Sequence, residues 1–246
     1  MEKNNNLVPV AIIIASLIIG AALYFRAPAP VANPGDGPTQ VQGDLNKLAK
    51  VDAKEHIKGN LNAPVKIIEY SDLECPFCKA FHLAMNELMT KYGQDSKVAW
   101  IFRHFPLDRH PKATPEAVAA ECVAKLGSND KFWQYIDQIF TTTPSNNGLD
   151  LTVLPKFAID LGIDETKFQN CLDNNETKLI VDTNYQNGLE LGVDGTPYVV
   201  MILPDGKKFL LFREATPANI DASTKAIIDN LTAFYTAQIN KLRQEQ

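Results

Sequence analysis

Apolar and polar positions fall into distinct patterns along the chain. Residues 7–25, LVPVAIIIASLIIGAALYF, carry no charge. As a helix they would extend about 28 Å, close to the hydrocarbon thickness of a bilayer. The expected element is one N-terminal transmembrane helix. A cleaved signal peptide is the alternative, although the apolar run is longer than a usual signal core and Pro30 would follow a cut after Ala27-Pro28-Ala29. Residues 26–43, RAPAPVANPGDGPTQVQG, are rich in Pro, Gly and small side chains and read as a solvated tether. Counted through residue 50, it would reach roughly 28 Å as flexible coil. The expected division is an anchor over 1–26, a linker over 27–50 and a folded domain over 51–246.

Within the folded part, residues 64–71 read as a strand on Val65, Ile67 and Ile68. A helix follows at once, with Cys78, Phe81, Met85, Leu88 and Tyr92 recurring at spacings of three and four. Residues 98–102, VAWIF, read as the next strand. Helical patterns alone fill 114–190, over 114–126, 130–141, 151–161, 164–173 and 175–190, broken by turn residues such as Gly127-Ser128-Asn129 and Gly162. Tyr198–Leu203 and Lys208–Phe212 flank Pro204-Asp205-Gly206, a hairpin signal, and a last amphipathic helix starts near Pro217. Without the helical block the order is β-α-β-β-β-α, provided a first strand precedes residue 64. The fold class is α/β, a small mixed sheet covered by helices.

Composition changes this picture little. The 246 residues are 45% hydrophobic and 22% charged, with a formal net charge of -5. No basic stripe interleaves with aromatics, so nucleic acid is not an expected partner. Lys3 and Arg26 flank the apolar segment almost symmetrically, and charge alone does not orient it.

The chemistry lies in the cysteines, of which there are four: Cys75, Cys78, Cys122 and Cys171. Cys75-Pro76-Phe77-Cys78 falls where strand meets helix. A Cys at a helix N-terminus faces unpaired backbone N–H groups and the positive end of the helix dipole, and both favour thiolate over thiol. Pro76 suits the first helical position, where no N–H is needed. Cys75 is expected as the exposed nucleophile and Cys78, on the core stripe, as the resolving thiol. The alternatives are half of a zinc site or a purely structural bridge. Zinc wants about four ligands, and no second close pair accompanies this one. Gly195-Thr196-Pro197-Tyr198, just before a strand, would offer backbone groups to an extended substrate peptide beside the dithiol. Pro76, Phe77, Thr196 and Pro197 are therefore the candidate substrate contacts.

Several separate motifs together resemble a known family. His56-Ile57-Lys58-Gly59-Asn60, Ala63-Pro64-Val65, Glu69-Tyr70-Ser71-Asp72 and Glu74-Cys75-Pro76-Phe77-Cys78 look like the DsbA-like disulfide oxidoreductases, in the branch of membrane-anchored bacterial members. Phe102-Arg103-His104-Phe105-Pro106-Leu107, Lys131-Phe132-Trp133 and Gly195-Thr196-Pro197 continue the match. The resemblance implies a thioredoxin fold with an inserted all-helical domain at about 111–190 and a cis bond before Pro197. It implies dithiol–disulfide exchange on exported proteins without a cofactor or metal. It also implies an acidic residue beneath the dithiol, at Glu69, that relays the proton of Cys78. His104 reads as a packing or hydrogen-bonding residue. Cys122 and Cys171, each on an expected helix, would form a second, structural disulfide; two buried free thiols are the alternative.

The chain departs from the family at the dipeptide. Strongly oxidising members often carry Pro-His between the cysteines, and Phe77 supplies neither the donor nor the charge of a His. The disulfide should be less oxidising, which leaves the direction of electron flow open. The first expectation is a disulfide oxidase on the extracytoplasmic side of a cell membrane, monomeric and reoxidised by a DsbB-like or VKOR-like membrane partner. A reductase or isomerase is the near alternative, and a non-enzymatic metal-binding or chaperone module the distant one.

Overall fold

The computed structural model describes residues 43–93 and 97–212. The apolar segment 7–25, the tether as far as residue 42 and the helix expected from Pro217 lie outside the described residues. The β-formers gather into one five-stranded sheet of β1 (His56–Gly59), β2 (Val65–Ser71), β3 (Val98–His104), β4 (Tyr198–Ile202) and β5 (Lys208–Phe212), in the order β1-β3-β2-β4-β5. Only β2 and β3 are parallel, with Glu69 opposite Phe102. Helix α1 (Pro76–Tyr92) connects them. Thus a first strand does precede residue 64, pairing antiparallel with β3 at the sheet edge.

Strand alternation sorts the central side chains between two cores. Val65 and Ile67 pack on the α1 side with Phe81, Met85 and Trp100, whereas Ile68 and Tyr70 face Ile101, Phe105 and Tyr198. Both faces are covered, so β2 is buried along almost its whole length. Each fully buried Ile or Val contributes roughly 1.5–3 kcal/mol relative to exposure. Glu69 shares the α1 face with Val65 and Ile67, which carries a carboxyl into that core.

The helical block comprises α2 (Ala113–Leu126), α3 (Asn129–Thr142), α4 (Leu154–Asp160), α5 (Glu165–Asp173) and α6 (Lys178–Leu191). Ser128 caps α3 by accepting from the Lys131 N–H, and Asp164 caps α5 by accepting from the Lys167 N–H. Gly192, with φ of 93°, ends α6 in the left-handed conformation. Two expected helices are shorter than their patterns. The 151–161 segment opens as a 3-10 turn before α4 begins at Leu154 with Pro155 in its first turn, and α6 begins only at Lys178, after Asn175 at φ 49°. A disulfide joins Cys122 of α2 to Cys171 of α5.

The end of the expected linker requires correction. Residues 43–50 belong to the packed body: Leu45–Lys47 form a 3-10 turn capped by Asp44, Leu48 is buried, and the Leu45 carbonyl accepts from Lys208 Nζ. The Pro/Gly bias that marks a tether stops at Gly43, and the following Leu45 and Leu48 supply apolar surface.

Candidate active site

Strand β2 ends at Ser71, and a short turn delivers the chain to α1. In this turn the Cys75 N–H donates to the Asp72 carbonyl at 3.1 Å. Cys75 is the N-cap of α1, with extended backbone (φ -79°, ψ 123°), and Pro76 opens the first turn. The Cys75 carbonyl accepts from the Lys79 N–H at 3.0 Å. Cys78 follows on the inner face of the helix, fully buried. Both are free thiols.

Their acidities are driven apart. The Cys75 thiol is pulled down to about 6, first by a hydrogen bond from Cys78 and, against the cost of burial, by the backbone N–H of Cys78, by Thr196 and by the N–H of Phe77. Those two amides are unpaired donors of the helix N-terminus. Cys78 is pushed well above the ordinary thiol value, by burial first, then by its hydrogen bond to Cys75 and the charges of Cys75, Glu69 and Asp72. One negative charge sits on the outer sulfur, and the inner sulfur keeps its proton.

Exposure departs from expectation. Cys75 is only 1% exposed. Its Sγ lies 3.5 Å from the Thr196 carbonyl oxygen, and Thr196 is itself buried. A position at the mouth of a helix does not expose a sulfur when the turn before β4 packs across it. The Thr196–Pro197 bond is cis. Pro76 and Phe77 are beside the same sulfur by sequence, and the Phe77 ring is half-buried against the α1-side core. The structure thus brings Cys75, Cys78, Pro76, Phe77, Thr196 and Pro197 to one place.

Glu69 lies in the core beneath them. It is fully buried, and its Oε2 accepts from Trp100 Nε1 at 3.0 Å. Burial pushes its carboxyl up to about 8, against hydrogen bonds from Ser71 and Trp100, with the charge of Cys75 adding to the rise. A carboxyl of that affinity can hold or release a proton near neutral pH. Cys122 and Cys171 are remote in the helical block, where Cys122 Sγ lies 3.5 Å from Thr177 Oγ1. His104 is a buried hydrogen-bonding residue, its Nε2 3.1 Å from Glu121 Oε1, which His56 Nε2 also approaches at 2.8 Å. Burial opposes the Glu121 charge, yet His104 and His56 together hold that carboxyl down to about 2.

Sequence reasoning missed a polar shell around this site. Asp72 is fully buried and reaches both Leu107 and His110. Glu74, the neighbour of Cys75, accepts from Thr143 Oγ1 at 3.0 Å and from the N–H groups of Gly148 and Leu149 at 3.1 Å each. Its carbonyl accepts from the Asn146 N–H at 2.8 Å. Ser145, Asn146 and Asn147 all take positive φ (67°, 54° and 67°), so the loop after α3 wraps around this carboxylate. Glu116 is buried on α2, near the Glu74 carboxylate. Burial first, and then the neighbouring Glu74 carboxylate, push Glu116 up to about 10. The one available signal was the pair of acidic residues bracketing Leu73 just ahead of Cys75.

Comparisons with known proteins bear on the family and the fold. The family model described as Thioredoxin matches residues 52–229. Among solved structures, DsbA2 of Pseudomonas aeruginosa is similar with a TM-score of 0.56 at 25% identity, covering 73% of this chain and 97% of that one. For alpha-DsbA1 of Wolbachia pipientis the TM-score is 0.62 at 24% identity, covering 81% and 100%. For BdbD of Bacillus subtilis it is 0.59 at 20%, covering 78% and 96%. These last two bear on the fold alone. The curated relatives carry another name. Na(+)/H(+) antiporter NhaA 1 of Mycolicibacterium gilvum is 30% identical over 157 residues, 62% of this chain and 24% of that protein. NhaA 3 of Salinispora tropica is 30% identical over 200 residues, 80% of this chain and 28% of that protein. The chain spans about a quarter of the length of the curated relatives it matches.

Proposed function

This chain belongs to the thioredoxin family as a DsbA-like thiol–disulfide oxidoreductase, and from that premise we propose that it oxidises exported proteins through the Cys75–Cys78 pair. A substrate thiolate attacks Cys75 Sγ of the disulfide, forming a mixed disulfide and releasing Cys78 as the leaving thiolate. A second substrate thiolate then attacks its own sulfur in that bond. The substrate leaves with a disulfide, Cys75 leaves as thiolate, and Cys78 takes up a proton. The two electrons pass on to a DsbB-like or VKOR-like membrane partner, with the 7–25 segment anchoring the domain on the extracytoplasmic side.

The observation that carries this reading is the separation of the two thiols: Cys75 is held down to about 6 and Cys78 well above the usual value. The low pKa makes Cys75 the better leaving group, and stabilising the reduced form makes the disulfide oxidising. Glu69 takes or returns the Cys78 proton. Pro76, Phe77, Thr196 and Pro197 line the substrate's approach. Because Cys75 is so little exposed, the groups above it must shift when a substrate sulfur arrives. Phe77 in place of a polar residue supports a milder oxidant, and reduction or isomerisation is the second reading it favours.

The deciding experiment is the equilibrium potential of the Cys75–Cys78 pair against glutathione. A value near about -120 mV supports the oxidase, and one near about -270 mV supports the reductase.

A further inference from the structure

The two oxygens of the Glu69 carboxyl are unlike. Oε2 accepts from Trp100 Nε1 at 3.0 Å. Oε1 is buried and makes no hydrogen bond of normal geometry; the Ser71 hydroxyl is the other polar group near the carboxyl. The strand partners of Glu69, Phe102 on β3 and Val199 on β4, are apolar. Trp100 is itself clamped from outside. Its ring lies 5.1 Å from the His82 ring and 4.5 Å from the Trp133 ring. His82 is buried on α1, and its Nε2 donates to Asp137 Oδ1 of α3, which also accepts from Asn86 Nδ2 at 3.1 Å. Asp137 is partly exposed. Hydrogen bonds and packed rings therefore run from the surface of α3, through α1, to the carboxyl on β2.

We propose that Trp100, seated by the His82–Asp137 pair, is a positioning residue: its indole N–H occupies one oxygen of Glu69 and leaves the other to exchange the Cys78 proton. This rests on the exchange reaction proposed above. When a thiolate attacks Cys75 Sγ of the disulfide, the Cys75–Cys78 bond breaks and its electron pair goes to Cys78. Glu69 gives its proton to that sulfur and becomes a carboxylate. The Trp100 N–H then donates to a charged oxygen, where a hydrogen bond is stronger. A carboxyl buried without that donor would hold its proton more tightly and give it up more slowly.

The titratable groups that face Glu69 are Cys75 and Cys78 of α1, with Asp72 beside Cys78. Beyond Trp100 stand His82 of α1, Asp137 of α3 and Lys58 of β1, whose ammonium is 5.7 Å from the Trp100 ring centroid. Burial holds the His82 imidazole below its ordinary value even beside Asp137. In the oxidised chain the two cysteines are bonded to each other and carry no charge. Glu69 is then the carboxyl that the Trp100 N–H touches, and its protonation can be read at the indole.

The test uses the full oxidised chain. In the wild type the Trp100 Nε1–H resonance should move with pH about a midpoint near 8, as Glu69 titrates, and Glu69→Gln should abolish the movement. A wild-type resonance that stays flat through that pH overturns the proposal, whether or not any variant folds. Trp100→Phe keeps an aromatic ring and deletes the donor. The Glu69 carboxyl carbon should then titrate about one unit higher, the size of a lost hydrogen bond to a charged group. Attack by reduced glutathione, corrected for ionisation of the probe, should decline about one unit later in pH in the same variant. Uniform slowing at every pH with the carboxyl midpoint unmoved is the mark of packing alone and overturns the proposal. Asp137→Asn should move the midpoint the same way by less; no movement overturns the part assigned to His82 and Asp137. A wild-type chain that shows the coupled titration yet forms no mixed disulfide with glutathione overturns the exchange reaction, and the proton role with it, whereas the silent resonance overturns this inference alone.

Discussion

Cys75 and Cys78 open α1, Cys122 and Cys171 join α2 to α5, and all four are at most 1% exposed. Burial therefore does not separate a reactive pair from a structural one. Surroundings do. Around Cys75 the helix N-terminus supplies donors and the Thr196 carbonyl lies 3.5 Å from the sulfur, and two carboxyl groups, Glu69 and Asp72, stand near the partner thiol. Around Cys122 the only polar neighbour within hydrogen-bonding distance, among the described residues, is the Thr177 hydroxyl. A sulfur becomes a leaving group where the backbone can stabilise its charge, and a strut where nothing can.

The comparison breaks first at activity. Cys75→Ser should abolish disulfide exchange, at least about a hundredfold, since the attacked sulfur is gone. Cys122→Ser with Cys171→Ser should leave exchange within about twofold in folded protein, measured as oxidation of a reduced dithiol peptide. The same double substitution should act on stability instead. The bridge closes a separation of 49 residues, and its loss should cost about 2–5 kcal/mol in chemical denaturation.

A third expectation sharpens the difference through pH. The folded value of about 6 for Cys75 lies below the free-thiol value of 9.0. A depressed value means stability that is present above pH 9 and lost as pH falls through 6. The oxidised chain has no such thiol. Reduced protein should therefore gain on oxidised protein as pH rises from about 6 to 9, by an amount on the order of a few kcal/mol. Glu69, raised to about 8, works the other way: the stability it contributes is lost as pH rises from 4.5 through 8. It is present in both redox forms, so the comparison largely removes it. Paired melts of the two forms across this range check the sign; a constant gap would refute it. The smallest effect concerns the dipeptide. Phe77→His restores a donor near Cys75 and should raise the potential by about 30 mV, a free-energy change of about 1.4 kcal/mol.

Much of this site was legible because it is local. A strand, a Cys, a Pro and a second Cys three positions on specify a helix start and a thiol at its mouth. Tyr198–Leu203 and Lys208–Phe212 around Pro204-Asp205-Gly206 give β4 and β5 for the same reason. What escaped was set by distant partners. His56–Gly59 is four residues with no full alternation, and it becomes a strand only because β3 offers an edge. Trp100 reads as core, yet its indole N–H is the donor to Glu69 across the neighbouring strand. The cover over Cys75 comes from Thr196, more than a hundred positions away. Asp72 and His110 are ordinary polar residues until the β3–α2 connection brings them within 2.9 Å. The anchor and its orientation rest on residues outside the described range.

The Glu74 socket has a bearing on modularity. Its carboxylate takes two amides and a hydroxyl from the loop after α3, and its carbonyl takes a third amide from Asn146. The helical insert is thus stitched to the residue immediately before the nucleophile. A chimera that exchanged the insert between relatives without its matching socket would strand a buried anion next to the reactive sulfur. Insert and dithiol turn must therefore be inherited, or engineered, as one piece.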